Sequence, residues 1–545
     1  MNRLFFITVI TLLLSQKVNG QDKYFVSFID KNGTPYSIEN PEDFLSQKSI
    51  ERRARQGIEI TEKDLPVSPD YIEQVQSTGA TVLYPLKWFN GIVVETSSNE
   101  IVQEILNLDP VLMVEQIFEY GLKAQSLPDD EFFPVYKVKK DPKDYYNYGS
   151  SSTQIKMLSG HSLHNLGYRG KGMTIAVLDA GFFNVNNLPA FDSLNTEGRL
   201  IFTRDYVNPN SNIYDEHTHG MIVLSAMAGN IPGQLIGTAP EADYILIRTE
   251  DGLSEQIIEE YNWAAGAELA DSLGADVINS SLGYYTFDAQ WQNHVYEDMD
   301  GQTTPVALAA NIAAEVGMLV VASAGNEGNS AWQHIISPSD GLYCIAVGAV
   351  DENGQYVSFS SIGPSADGRV KPDVAAMGRG TVVQGTDGQI SSANGTSLSA
   401  PIISGLAACL WQALPNITVA DLRERIHYSS SIYENPNPLI GYGLPNFFNA
   451  MYPLSIATDL DNSQLKVFPN PSNGKIMVSL PWQNCSEHSI RVMTIEGKTI
   501  INQNFTPNSS VYSIDIPSNH PSGLYLIKLT SKHGTKFGKV ILQYF

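Results

Sequence analysis

Between Thr174 and Ala322 the sequence places four short runs that are apolar on both faces: Thr174-Ile175-Ala176-Val177-Leu178, Ala242 to Ile247, Ala275 to Asn279 and Met318 to Ala322. A strand with one wet face alternates apolar and polar residues, so runs with apolar residues at consecutive positions fit strands covered above and below. Between the second and third, Leu253 to Leu273 has the length of a crossover helix. Residues 149–455 are therefore predicted to form an α/β domain on a mostly parallel, doubly wound sheet.

The flanks are built differently. From Tyr71 the pattern reads helix (Tyr71 to Ser77), strand (Thr81 to Leu86), strand (Asn90 to Glu95), helix (Asn99 to Leu106) and strand (Val111 to Gln116). That alternation predicts a small α+β unit within residues 21–121. Residues 122–148 hold Ser126-Leu127-Pro128-Asp129-Asp130-Glu131, a Lys-rich stretch and Tyr145-Tyr146-Asn147-Tyr148. They show no sustained period and read as an exposed linker. From Leu465 short alternating runs return between Pro, Asn and Gly turns, which predicts an all-β sandwich over residues 460–545.

Charge follows these boundaries. The chain of 545 residues carries -24, with -9 on residues 21–148, -21 on residues 149–459 and +4 on residues 460–545. An acidic chain lacks the clustered Lys and Arg that a nucleic-acid backbone or an anionic membrane surface requires. Its N-terminus, Met1-Asn2-Arg3, then apolar Leu4 to Leu14, then polar residues up to Gly20, has the three parts of a secretory signal peptide over residues 1–20. No later apolar run reaches the roughly 18 residues of a transmembrane helix. Cys344, Cys409 and Cys485 are too few and too far apart for a zinc or redox motif.

Four segments of the α/β region carry chemistry. Ala176-Val177-Leu178-Asp179-Ala180-Gly181 sets a carboxylate at the end of a buried strand, where open α/β sheets bind ligands. His217-Thr218-His219-Gly220 opens an apolar helix with an imidazole, and the i, i+2 histidines do not have the HExxH zinc spacing. Asn394-Gly395-Thr396-Ser397-Leu398-Ser399-Ala400-Pro401 leads into apolar Ile402 to Leu414, which places Ser397 at a helix start and Pro401 within its first turn. Ser323-Ala324-Gly325-Asn326 puts a side-chain amide just past a buried strand, placed to donate to an oxyanion.

Taken together, these segments resemble those of subtilisin-like serine proteases, whose chain order is Asp, His, Ser. The resemblance spans about 300 residues and includes Gln154-Ile155-Lys156, Leu163 to Gly170, Asn279-Ser280-Ser281-Leu282-Gly283, Ser360 to Pro364 and Lys371-Pro372-Asp373-Val374. It implies Asp179, His219 and Ser397 as catalytic residues and Asn326 as oxyanion donor. It implies Ser281, Leu282, Gly283, Ser323, Ala324 and Gly325 as substrate-binding residues. Aligning His-Gly favours His219 over His217. Met221 and Ile222 depart from the family pattern, and Tyr284 stands where a second Gly is common, altering one wall of the specificity pocket. Protein or peptide substrates follow; no cofactor is required for catalysis, and structural calcium is a family trait.

The 21–121 unit resembles the inhibitory propeptide of the same family, a partner carried in cis. The last segment resembles the sorting domain of the type IX secretion system of Bacteroidetes, through Val467-Phe468-Pro469-Asn470-Pro471-Ser472-Asn473-Gly474, Ile495-Glu496-Gly497-Lys498, Pro521-Ser522-Gly523-Leu524-Tyr525 and Lys539-Val540-Ile541. The resemblance implies export to the surface or medium, with the secretion machinery as a partner. Two other readings fit the same motifs: a surface interaction protein on an inactive protease scaffold, and a processing peptidase or transpeptidase with one substrate.

Overall fold

The computed structural model describes residues 20–122, 130–136, 138–452, 465–480, 488–494, 498–506, 511–517, 519–532 and 534–543. The signal-peptide reading, Ser126 to Asp129, Ile495 to Gly497 and Cys485 lie outside these residues, apart from Gly20. The chain divides into two units, one ending at Tyr452 and one beginning at Pro453.

The first unit opens with β1 (Asp22–Phe28), α1 (Gln47–Gln56), α2 (Pro69–Ser77), β2 (Thr81–Leu86), β3 (Gly91–Thr96), α3 (Asn99–Leu106) and β4 (Val111–Phe118). The strands form an antiparallel sheet in the order β2-β3-β1-β4. The elements expected from Tyr71 onward are present, and β1 adds a strand that the sequence reading left out. Alternation along the strands serves two cores. Val26, Ile92 and Val94 face α2 and α3, while Phe25, Val93, Tyr84 and Trp88 turn outward into a cluster shared with the large domain.

The large domain supplies α4 (Ser152–Lys156), α5 (Gly160–Asn165), β5 (Thr174–Asp179), α6 (Asp192–Thr196), β6 (Leu200–Asp205), α7 (His219–Ala228), the hairpin β7 (Asn230–Ile231) and β8 (Leu235–Ile236), β9 (Asp243–Arg248), α8 (Ile258–Leu273), β10 (Val277–Ser280), α9 (Pro305–Glu315), β11 (Leu319–Ser323), β12 (Ile345–Val350), β13 (Val374–Met377), the hairpin β14 (Thr381–Gln384) and β15 (Ile390–Ala393), α10 (Thr396–Ala413) and α11 (Val419–Tyr428). Seven strands form a parallel sheet in the order β13-β12-β11-β10-β5-β9-β6. Ile175 and Val177 pack into the layer of α7 and α10, and Ala176 and Leu178 into the layer of α8 and α9. This two-sided burial is why consecutive positions within these runs read as apolar, with Asp243 and Asp276 standing near their starts. The chain leaves β5 toward β9 and leaves β10 toward β11, so the crevice between their carboxyl ends is a topological switch point.

The α+β unit docks on α8 through ions that the sequence reading did not single out. Arg52 and Arg53 of α1 are buried, and both reach Asp271 near the end of α8, with Arg52 Nη2 to Oδ1 at 2.5 Å and Arg53 Nη1 to Oδ1 at 2.9 Å. Lys87 Nζ completes the set at 3.1 Å from Oδ2. Burial works against the charge of Asp271, but Lys87, Arg52 and Arg53 overcome it and hold the carboxyl well below the usual range. Arg52 also donates to the carbonyls of Ala275 and Val316, the residues just before β10 and β11.

The segment expected to be an exposed linker, residues 122–148, is exposed only in part. Tyr148 is 2% exposed and bonds through its hydroxyl to His164 Nδ1 at 2.8 Å. Asp144 is buried and paired with Lys156, and Phe133 pairs with Ser392 of β15. The aromatic residues gain more by packing on the domain than the chain loses in freedom.

The named strands of the second unit, taken by itself, pair antiparallel, and Ser472 adds one parallel bridge to Leu542. A three-stranded sheet of Val467–Phe468, Lys475–Ser479 and Val511–Asp515 shares one apolar core with a four-stranded sheet of His488–Thr494, Thr499–Phe505, Gly523–Ser531 and Gly534–Leu542. Asn470 explains part of its opening motif: its side chain accepts from Ile541 N at 2.8 Å and donates to Lys539 O at 3.1 Å, fastening the turn to the last strand.

Candidate active site

Asp179 ends β5 and is fully buried. Its Oδ1 accepts the Ala180 amide and faces His219 Nδ1, each at 2.8 Å. His219 is the first residue of α7, and Gly220 behind it is needed for a close approach. A Cβ there would lie 2.4 Å from the Gly181 carbonyl and 2.9 Å from the Asp179 Cβ. The structure thus separates the two histidines: His219 meets the carboxylate, and His217 Nδ1 accepts the His219 backbone amide at 3.1 Å. Burial alone would lower the His219 pKa, but the charge and hydrogen bond of Asp179, with Asp130 and Glu250 adding to them, push it up to about 9.

Ser397 sits in the first turn of α10, which packs directly on α7. Gly395 before it has φ +148, and a Cβ at that position would lie 2.7 Å from Ser397 Oγ. Glycine therefore clears the space in front of the Ser397 hydroxyl. Pro401 is not in the first turn, as the sequence suggested, but one turn further into the helix. A proline there has no N–H to give the carbonyl four residues back, which is that of Ser397. Ser281 Oγ donates to that carbonyl at 2.7 Å instead. Asn279 Nδ2 donates to Ser281 Oγ at 3.1 Å, and Ser404 Oγ to Asn279 Oδ1 at 2.8 Å, so β10 is bonded to α10 at two levels.

Asn326 follows β11 and is exposed. Its Oδ1 accepts from Thr396 N at 2.9 Å and Thr396 Oγ1 at 3.0 Å, which fixes which end of the amide is left to donate. The Nδ2 atom and Ser397 Oγ both border the space beside Gly395, at 3.8 Å and 2.7 Å from the same Cβ position. Ser281, Leu282, Ser323 and Ala324 are buried around this crevice; Ala324 N bonds to Val347 O at 3.0 Å, and Gly325 O accepts from Ser361 N at 2.9 Å. The sequence-predicted residues thus gather at the carboxyl ends of β5, β10 and β11.

Tyr284 fills the position after Gly283 with a buried ring whose hydroxyl hydrogen-bonds to Glu250. Glu250, Glu255 and Glu259 bring carboxylate oxygens within 4.8 Å of one another, a grouping the sequence reading missed because it joins a strand end to a helix start. Burial raises all three pKa values, that of Glu250 to about 8. Glu259 accepts the amides of Asp251 and Gln256, and one oxygen of Glu250 accepts the hydroxyls of Thr249 and Tyr284.

Residues 170–443 match the subtilase family of S8 peptidases. The chain belongs to the subtilase family. Residues 23–129 of this subtilase match the S8 peptidase propeptide domain of Bacteroidota, and residues 466–543 match a secretion-system C-terminal sorting domain. It is similar to Subtilisin NAT of Bacillus subtilis subsp. natto, 30% identical over 61% of this chain and 81% of that protein. It is also 30% identical to Subtilisin of Bacillus pumilus, over 54% of this chain and 95% of that protein. Among solved structures, MycP1 from the ESX-1 type VII secretion system is 22% identical with a TM-score of 0.45, covering 62% of this chain and 96% of its own. The subtilase is a serine peptidase by family. No helix among its described residues is long and apolar enough to cross a membrane.

Proposed function

We propose that this chain is an exported serine endopeptidase, made with its own inhibitor attached, that cleaves protein or peptide substrates through an acyl-enzyme on Ser397. The observation that carries the reading is the Asp179 to His219 bond at the switch point of the sheet, on a helix packed against α10, whose first turn carries Ser397. His219 takes the Ser397 proton as Oγ attacks the substrate carbonyl, Asp179 holds the ring tautomer and stabilises the imidazolium, and His219 then protonates the leaving amine. Water repeats the sequence to release the acid. Asn326 Nδ2 and the Ser397 amide receive the oxyanion. These steps draw on side chains, backbone and water alone. The α+β domain inhibits the precursor, the N-terminal signal starts export, and the sorting domain completes it through type IX machinery.

Labelling of the processed protein by a serine-directed fluorophosphonate tests the reading; an unreactive protein would favour the inactive scaffold. Two further results are expected. Asn326→Ala lowers kcat by about 10²- to 10³-fold with KM little changed, a magnitude carried over from subtilisin. The base must be neutral to act, and its pKa stands at about 9, so kcat/KM rises with pH and levels off only above that value. A profile already flat at pH 7 would contradict it.

A further inference from the structure

After the inhibitory domain the described chain reaches the loop before α8 and resumes at Asp130 beside α7. Glu119 is held at Gln256, in the loop between β9 and α8, by bonds of 2.8 Å and 3.2 Å. From Asp130 the next described segment lies beside the catalytic groups. Asp130 Oδ2 accepts from Thr218 Oγ1 at 3.0 Å, and Thr218 is the residue before His219. Three residues on, Phe133 N donates to Ser392 O at 2.7 Å and its carbonyl accepts from Ser392 N at 2.9 Å. Ser392 belongs to β15, whose other edge pairs with β14 and whose chain continues into Gly395 and Ser397. Val135 then packs on the core that holds α7 and α10. Asp130 to Val135 therefore runs from the helix of the base to the strand that leads to the nucleophile, pairing with that strand through one bridge at Phe133.

We propose that this strip is the leaving-group side of the substrate cleft, and that after processing Asp130 to Val135 stays there as a built-in occupant. The inference rests on the peptidase reading above. Processing adds water across one peptide bond between Leu122 and Asp130, leaving a carboxylate on the inhibitory domain and an amine on the Asp130 side. Removing the domain takes away the carboxylate product only. The amine product remains tethered, because Asp144 and Tyr148 anchor the same segment further on. Its effective concentration is that of a short tether, so it competes with the leaving-group half of any substrate. Substrates must displace an acidic, aromatic strand, which favours long extended peptides that can pair with β15 themselves.

The test compares two substrates on the processed enzyme and on Phe133→Pro, which removes the N–H given to Ser392 O. One substrate is an internally quenched peptide with four residues beyond the scissile bond; the other is a peptidyl anilide with none. Phe133→Pro is expected to lower KM for the long peptide roughly tenfold, the worth of about one such hydrogen bond, and to leave the anilide unchanged. Phe133→Ala keeps the backbone pair and is expected to behave as the unaltered enzyme. Equal changes on both substrates, or none, overturn the proposal, as does an active form whose N-terminus lies beyond Val135. If the unaltered enzyme neither labels with fluorophosphonate nor cuts the anilide, the peptidase reading itself fails, and that result is distinct from the other two.

Discussion

Ser397→Ala is expected to abolish fluorophosphonate labelling and to lower turnover by about 10⁴- to 10⁶-fold, the range for losing a nucleophile from a triad that acts as a unit. The upper figure is carried over from subtilisin, a member of the same family. Two features of the local geometry make the variant clean. Oγ projects into the space that Gly395 leaves open. The contact that places the residue runs through its carbonyl to Ser281, not through the side chain. The fold should therefore survive, and the variant should accumulate as the uncleaved precursor. Intact mass would show the inhibitory domain still joined to the rest. Labelling that survives the substitution would move the nucleophile elsewhere.

The second large effect is expected at the joint between inhibitor and enzyme. Asp271→Ala leaves Arg52, Arg53 and Lys87 buried around a missing carboxylate, and breaking a buried ion set by removing one partner costs about 3–5 kcal/mol. Only the assembled form contains that set, since Asp271 belongs to α8 and the three cations belong to the α+β domain. The inhibitory domain should then dissociate roughly 10²- to 10⁴-fold more readily after cleavage. The mature enzyme, in which Asp271 faces water, should keep its melting temperature and kcat/KM. Measuring both forms separates the two cases. A mature enzyme destabilised as much as the precursor would show that Asp271 serves the large domain and not the joint.

Much of this arrangement was legible in the sequence because the chemistry sits where periodicity breaks. Asp179 closes an apolar run, Asn326 follows another, and His219 and Ser397 open apolar helices. Each is marked by local pattern, and the sheet brings them together. The joint was illegible for the opposite reason. The helix Gln47–Gln56 carries Lys48, Glu51, Arg52, Arg53 and Arg55 and reads as a wet surface. What buries Arg52 is a carboxylate 219 residues away, and no local signal carries that distance. The tyrosines of residues 145–148 misled in the same way. They lack a period of their own because His164, Glu241 and Arg169 of the large domain are their partners.

Pro401 has a further consequence. A helix without it would close on itself, and the Ser397 carbonyl would be spent on the amide one turn later. With proline in place that carbonyl becomes a fastening point, and the segment that follows β10 hangs from it through Ser281. On the proposed function, substrate and nucleophile are therefore registered against a shared atom. Errors in loop packing elsewhere do not reach the reacting distance, where a displacement of about 1 Å costs on the order of 10²-fold in rate. In this enzyme a residue known for breaking helices keeps two halves of a reaction aligned.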